Sequence, residues 1–486
     1  MKGKLVTIFA ILLVFTLLFA ACRSEDESTD PVQTEAPTEA PTPEVTPEPT
    51  PEPTPEPIVI PDLGGRVVRF GSHALYWAVS PGARNEDGWV TPADDAPLDQ
   101  WMRYENRQRV EEMFNIVLEP VIIPGGEIVD RLTTANLAGE AYVDLFYFPT
   151  ANVLTLANRE LIIPVTELAR PDSDILNERL YMWPGITFRG HLWGVTRPTT
   201  INNPQSMFVN LDIINALGLP NPVDLFNAGD WTWEAMRNII AQATTGDYYG
   251  FGGQLGPFVA NMLVANGGLV MDPVTLELNF DTPEIMGAIE FATDIIDNGW
   301  FFVPDPEADN YIIAGPHNNS FMHQRTALNF LNGAVQINAE RNAAGGVLPM
   351  NFDWVPLPIG PLNTTGTTFH NMGQNNEGVV LGAEDPEILF WILEELFKWP
   401  GEEYWLAQED TIAWAGNWAP TQEMITRFVE NDRTRVIDIG QATVMGGGYF
   451  NNMILSYYNG EMTVAQFIEH NRAEREQMRI DWFGLE

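Results

Sequence analysis

The chain has 486 residues, 45% hydrophobic and 11% aromatic, enough apolar material for large cores and, at this length, for two or more domains. Its formal net charge of -41, from 66 acidic and 25 basic residues, argues against nucleic-acid binding, which needs a basic footprint. A single cysteine, Cys22, excludes a disulfide framework within one chain.

Lys2 and Lys4 precede an apolar run, Leu5 to Ala21, that is short and early for a membrane-spanning helix and ends in small residues. This layout predicts an export signal over 1–21, cleaved before Cys22. Leu18-Phe19-Ala20-Ala21-Cys22 resembles the lipobox of bacterial lipoproteins, with Phe19 where leucine is usual. The resemblance implies that the Cys22 thiol carries a diacylglycerol and becomes the new N-terminus. Two or more acyl chains anchor stably, since each buried methylene contributes about 0.8 kcal/mol. An ordinary secretory signal with a chance cysteine is the alternative reading. No second run of about twenty apolar residues follows, so the only membrane contact expected is through the lipid.

Residues 22–57 read as a linker. From Glu25 to Pro57 the chain alternates Pro, Thr and Glu, without Lys or Arg. Proline fixes a polyproline II backbone and like-charged glutamates repel, which predicts a disordered, extended tether reaching up to about 100 Å.

A strand is expected over Gly64–Gly71, followed by a polar loop with Tyr76, Trp77 and Trp89. The apolar spacing predicts helices over Leu98–Asn115 and Ile128–Leu137, with strands over Ile116–Ile123 and Val143–Phe148. Met207–Asn210 reads as a short apolar strand and Asp212–Leu217 as a short helix closed by Gly218. Thr232 is the expected N-cap of a helix running to about Ala243, with Glu234 in its first turn. Tyr249–Gly268 is a strand–helix unit, Pro283–Gly299 a helix, Phe352–Pro358 a strand entering a turn, and Asp385–Glu486 mostly helical. Alternating strands and helices predict sheets covered by helices on both faces, with ligands in crevices beyond the carboxyl ends of the strands.

Several segments in this order resemble the extracellular solute-binding proteins of ATP-driven importers, in the carbohydrate group that includes maltose-binding protein. Glu140–Phe148 resembles the family's G-E-x-P-D-I strand, and Leu161–Leu168 its G-L-L-x-P-L-x-x-L. His191–Val195 resembles G-K-x-Y-G-x-P. Phe208–Asp212 resembles x-Y-N-K-D-L, with Leu211 in place of lysine, and Trp231–Glu234 resembles x-T-W-E-E. The resemblance covers nearly everything after residue 58. It implies a two-lobed α/β fold with discontinuous lobes joined by crossing strands: lobe one over 58–200 plus 318–362, lobe two over 201–317 plus 363–486. Crossings are expected near Thr199–Asn203 and Pro358–Thr367, with a return to lobe two in the Asn371–Gly378 region.

A sugar presents apolar C–H faces and a rim of hydroxyls, so its site needs aromatic rings beside amides or carboxylates. The candidates are Tyr76 and Trp77 after the first strand, Tyr147 and Phe148 after the third, and Asn203 in the first crossing. Gln254, Phe258 and Asn261 fall in a segment that aligns with the family's ligand-contacting stretch. There Leu255 and Pro257 replace a glutamate and a tyrosine. Gln374, Asn375 and Glu377 cluster in the later crossing. Tyr449 and Phe450 follow a Gly-Gly-Gly run that resembles the family's aromatic loop. Core packing competes with ligand contact at each of these positions, and Trp193, Trp231 and Trp233 read as core.

The six histidines are scattered and form no H-E-x-x-H helix; no P-loop or G-x-S-x-G element occurs. The resulting expectation is a monomeric, lipid-anchored binding protein at the outer face of the cell membrane, without cofactor, metal or catalytic residues. It would capture a carbohydrate between its lobes and deliver it to permease subunits of an ABC importer. A cell-surface glycoside hydrolase or polysaccharide-binding protein, and a binding protein for peptides or other small solutes, are the competing classes.

Overall fold

The computed structural model describes residues 59–73, 84–85, 88–89, 91–92, 94, 98–173, 175–176, 183–196, 205–302, 324–331, 350–371, 375–398, 422–446 and 448–485. The chain divides into Met1–Val59 and Ile60–Glu486, and everything below concerns the second unit. The predicted signal, Cys22 and the linker lie outside the described residues.

In chain order the unit begins with β1 (Arg66–Ser72), α1 (Leu98–Phe114), β2 (Ile116–Ile122), α2 (Ile128–Leu137), β3 (Leu145–Pro149) and α3 (Thr150–Asn158). Short strands β4 (Ile162–Ile163), β5 (Trp183–Pro184) and β6 (Val195–Thr196) follow. Next come β7 (Ser206–Asn210), α4 (Leu211–Ala216), α5 (Pro222–Ala228), α6 (Trp233–Ala243), β8 (Tyr249–Gly253), α7 (Leu255–Ala265) and α8 (Pro283–Asp297). Then β9 (Thr326–Leu331), β10 (Phe352–Pro356), β11 (His370–Asn371), β12 (Asn375–Val380) and α9 (Pro386–Phe397). The last elements are α10 (Gln422–Arg433), β13 (Arg435–Val436), a π-helical turn over Gln441–Met445, α11 (Tyr449–Tyr458) and α12 (Val464–Phe483).

Two separate sheets make two lobes. The first is a seven-stranded sheet in the order β2-β1-β3-β12-β6-β5, with β4 beside β12. β1 runs parallel to β2 and β3, and β12 runs antiparallel to β3. Side chains alternate across β3, as the pleat requires. Leu145 and Tyr147 pack with α1 and α9, whereas Phe146 and Phe148 pack with α2 and α3. The second sheet has four strands in the order β8-β9-β7-β10. Its main core holds Met207 and Val209 from β7 against α6, α7 and α8. This is the two-lobed α/β architecture that the order of motifs implies.

Local rules place the elements. Thr232 caps α6 as expected, its side chain accepting from Ala235 N–H at 3.2 Å. Trp233, Met236, Ile239, Ile240 and Ala243 recur at three- and four-residue intervals, so α6 buries one stripe. Trp193, Trp231 and Trp233 are buried. At the end of β8, Gly253 has φ +116°, and a Cβ there would lie 2.3 Å from the Phe330 carbonyl oxygen. Only glycine fits this strand-to-helix turn.

The expected lobe boundaries need correction at 318–362 and 363–486. β9 and β10 flank β7 in the second sheet, so they belong to lobe two. β12 sits inside the first sheet and α9 packs into its core, so 375–397 belongs to lobe one. The chain therefore enters lobe one, rather than lobe two, after Asn371. An apolar alternation marks a strand but carries no label for its sheet. β6 ends at Thr196 in the first sheet and β7 begins at Ser206 in the second; the crossing expected near Thr199–Asn203 lies outside the described residues. Helix α12 touches both lobes: Phe467 and Ile468 join the second-lobe core, and Phe483 packs against Phe188 of the first at 5.7 Å. Among the described residues no helix is long and apolar enough to cross a membrane.

Candidate functional site

The carboxyl ends of β1 and β3 meet the start of antiparallel β12 at one edge of the first sheet. Pairing register puts Ser72, Tyr147 and Glu377 in one row, with Asn375 opposite Pro149 one step beyond. Residues opposite one another share a face, so Tyr147, Glu377 and Asn375 lie on the same side. Phe148 and Asn376 lie on the other side, where the Asn376 amide donates to Thr150 Oγ1 at 3.3 Å.

Three side chains form a ring-and-amide group here. The Tyr147 hydroxyl accepts from Asn375 Nδ2 at 3.0 Å. His73, immediately after β1, lies nearly parallel to the Tyr147 ring, with centroids 5.8 Å apart and 15° between planes. Its Nδ1 is 3.4 Å from the Tyr147 carbonyl, a contact that needs a proton on Nδ1 and leaves Nε2 as an acceptor. Burial holds the His73 pKa below its ordinary value, against the opposing pull of that carbonyl. The Tyr147 ring itself is buried in the first-lobe core, so the polar groups within a ligand's reach are the half-buried neutral imidazole of His73 and amide of Asn375, suited to an uncharged ligand bearing hydroxyls.

From the second lobe, Gln254 stands at the end of β8 and precedes the first turn of α7. Behind it, Asn261 ties down the crossing segment. Its Oδ1 accepts the Asn371 backbone N–H at 2.8 Å while its Nδ2 donates to the Pro257 carbonyl at 2.9 Å. The Asn371 side chain donates to Gln441 Oε1 at 2.7 Å and accepts the Asp438 N–H at 3.0 Å. Asp438 accepts in turn from the backbone of Val270 at 2.7 Å and of Gly440 at 3.0 Å. Burial pushes its carboxyl up to about 6 against those donors. Asn371 is thus fastened to lobe two, while Asn375 pairs in lobe one.

Of the sequence candidates, Tyr147 and Asn375 are brought together, with Glu377 directly opposite Tyr147 and buried inside the sheet. Four aromatics need correction toward packing. Phe148 stacks on Phe146 at 5.4 Å with no exposed surface. Phe258 is enclosed by Phe251, Phe291 and Phe330, with ring centroids at 4.8, 6.0 and 5.6 Å. Tyr449 and Phe450 form an edge-on pair at 5.4 Å within the second-lobe core. Burial pushes the Tyr449 hydroxyl up to about 12. Large rings beside glycines satisfy a core as readily as a ligand. Asn261 serves the crossing segment through its own hydrogen bonds. Tyr76, Trp77, Asn203 and Gln374 lie outside the described residues. His73 is the residue that sequence reasoning missed; its position directly after the first strand was the available signal. Among the described residues no group of three His, Cys, Asp or Glu side chains could hold a metal ion.

No family model matches the chain, and no curated protein matches it. Solved structures do. The chain resembles the cyclic alpha-maltosyl-1,6-maltose binding protein from Arthrobacter globiformis with a TM-score of 0.57 at 14% identity, covering 86% of this chain and 99% of that one. It resembles the sugar-binding protein MalE from the phytopathogen Xanthomonas citri with a TM-score of 0.56 at 13% identity, covering 85% and 98%. A cyclo/maltodextrin-binding protein solved with maltotetraose gives a TM-score of 0.54 at 14% identity, covering 86% and 97%. At such identities a likeness speaks to architecture, and it extends over nearly the whole of each relative: the chain has the two-lobed α/β fold of these sugar-binding proteins.

Proposed function

We propose that this protein captures a carbohydrate between its lobes and delivers it to the permease of an ABC importer. The observation that carries this reading is the group formed by His73, Tyr147 and Asn375 at the strand ends facing the crossing. A neutral imidazole acceptor beside an amide donor matches the hydroxyls of a sugar, and a site of this kind orients rather than reacts. The shared fold with proteins that bind maltodextrins and related sugars supports the same class of ligand. Closure follows if both lobes contact the ligand, because a ligand shifts an equilibrium only through differential affinity. Gln254 is the second-lobe residue best placed for this, and Tyr76, Trp77, Asn203 and Gln374 complete the proposed site, with Glu377 buried behind it.

The lipobox-like Leu18–Cys22 and the Pro/Thr/Glu linker support a lipid-anchored protein acting on the outer face of the cell membrane. Cys22→Ser should move the protein from the membrane fraction to the soluble or secreted fraction. Unchanged membrane association of that variant would refute lipidation. A thermal-shift screen over mono- and oligosaccharides tests the ligand class, since binding to the native state raises the melting temperature. Release of cleaved sugar would favour a glycoside hydrolase instead, and a shift with peptides alone would favour a peptide carrier.

A further inference from the structure

The second lobe carries a cavity of about 310 Å³ between the end of β10, helices α5 and α10, and the segment that leads to the crossing. Its walls are apolar: Phe226, Trp231, Pro356 and Ile359 line it. For scale, a dry cavity of about 150 Å³ is enough to hold benzene. Charge in the wall is already engaged or repels anions. Arg427, buried, donates to the Trp354 carbonyl at 3.0 Å, to Asp353 at 2.6 Å and to Glu423 at 3.3 Å. Glu430 is exposed at the lining. The buried Asn431 amide donates from Nδ2 to the Gln205 carbonyl at 3.2 Å, which fixes its orientation. Its Oδ1 has no hydrogen-bond partner among the described residues. That oxygen is itself enclosed, so the acceptors presented to the cavity are the lining Thr368 and Thr434 hydroxyls, whose protons already go to the Leu357 and Asn431 carbonyls at 2.6 and 2.8 Å.

We propose that this cavity is a second binding site, distinct from the cleft, for a small uncharged molecule with a ring-sized apolar body and one hydroxyl. Calorimetric titration of the full chain with phenol and cyclohexanol, against benzoate, tests it. Saturable one-to-one binding of phenol or cyclohexanol is expected, with benzoate at least tenfold weaker. Ile359→Trp and Thr434→Phe, which fill the space from opposite walls, should each weaken binding at least tenfold. If one variant fails to fold by circular dichroism, the other decides. The proposal is overturned if neither alcohol binds saturably, if benzoate binds as well as phenol, or if filling leaves affinity unchanged. None of these titrations contains a carbohydrate, so their failure is separable from failure of the cleft reading.

Discussion

The hydroxyl of Tyr147 accepts a hydrogen bond from the Asn375 amide at 3.0 Å, joining the end of β3 to the start of β12. The two residues are 228 positions apart in the chain, and the antiparallel pairing alone brings them together. Tyr147→Phe keeps the ring and removes the acceptor. A hydrogen bond of this kind contributes about 1 kcal/mol net. Carbohydrate affinity should fall about tenfold, read by calorimetry, while the melting temperature drops by only a few degrees. Unchanged affinity would place the ligand elsewhere.

The fastening of Asn371 by Asn261 gives a second expectation. Asn261→Leu has nearly the same size but leaves the Asn371 N–H without its partner at 2.8 Å. The expected loss is about 1–3 kcal/mol of unfolding free energy, measured in urea. If this tie holds Asn371 to lobe two, the variant should also populate more open conformers, seen as a larger radius of gyration in ligand-free scattering. Wild-type stability and dimensions would show that the tie is dispensable.

His370 predicts a pH dependence. Its ring is fully buried, with Nε2 donating to the Asn431 carbonyl at 3.0 Å. Burial, reinforced by the Arg435 guanidinium, holds its pKa down to about 3. The unfolded imidazole takes up a proton near its ordinary value of 6.5 while the folded one stays neutral. This contribution to stability is therefore complete above that pH and is lost on acidification, by about 1.4 kcal/mol per pH unit down to the folded value. His370→Phe removes the titration. The stability difference between wild type and variant, followed by urea unfolding at pH 7, 6, 5 and 4, should move against the wild type as pH falls. A difference that stays constant would show that His370 is protonated in the folded state.

How much could be read without coordinates varied with the kind of information. The Thr232 cap, the Ile128–Leu137 helix and the Ile116 strand were legible because they rest on local rules: a side-chain oxygen before an apolar stripe, or a period of two or four. The resemblance put a return to lobe two in the Asn371–Gly378 region, and Asn-Asn-Glu-Gly carries no apolar strand signature to correct it, yet 375–380 form a strand inside the first sheet. The aromatics Phe258 and Tyr449 were misread toward ligand for a related reason: burial is a property of the assembled lobe, and a ring looks the same in sequence whether it meets Phe330 or a sugar. His73 was overlooked because its value comes from Tyr147, which lies on a different strand.

The central claim, that the cleft captures a carbohydrate without altering it, is tested most directly by titrating the full chain with a panel of neutral mono- and oligosaccharides. Scattering and product analysis on the same samples complete the measurement. The account predicts saturable binding of at least one sugar, a fall in radius of gyration on saturation as the lobes close, weakening by Tyr147→Phe, and recovery of the sugar intact. Absence of binding across the panel, binding without any change in dimensions, or cleavage of the sugar would contradict it.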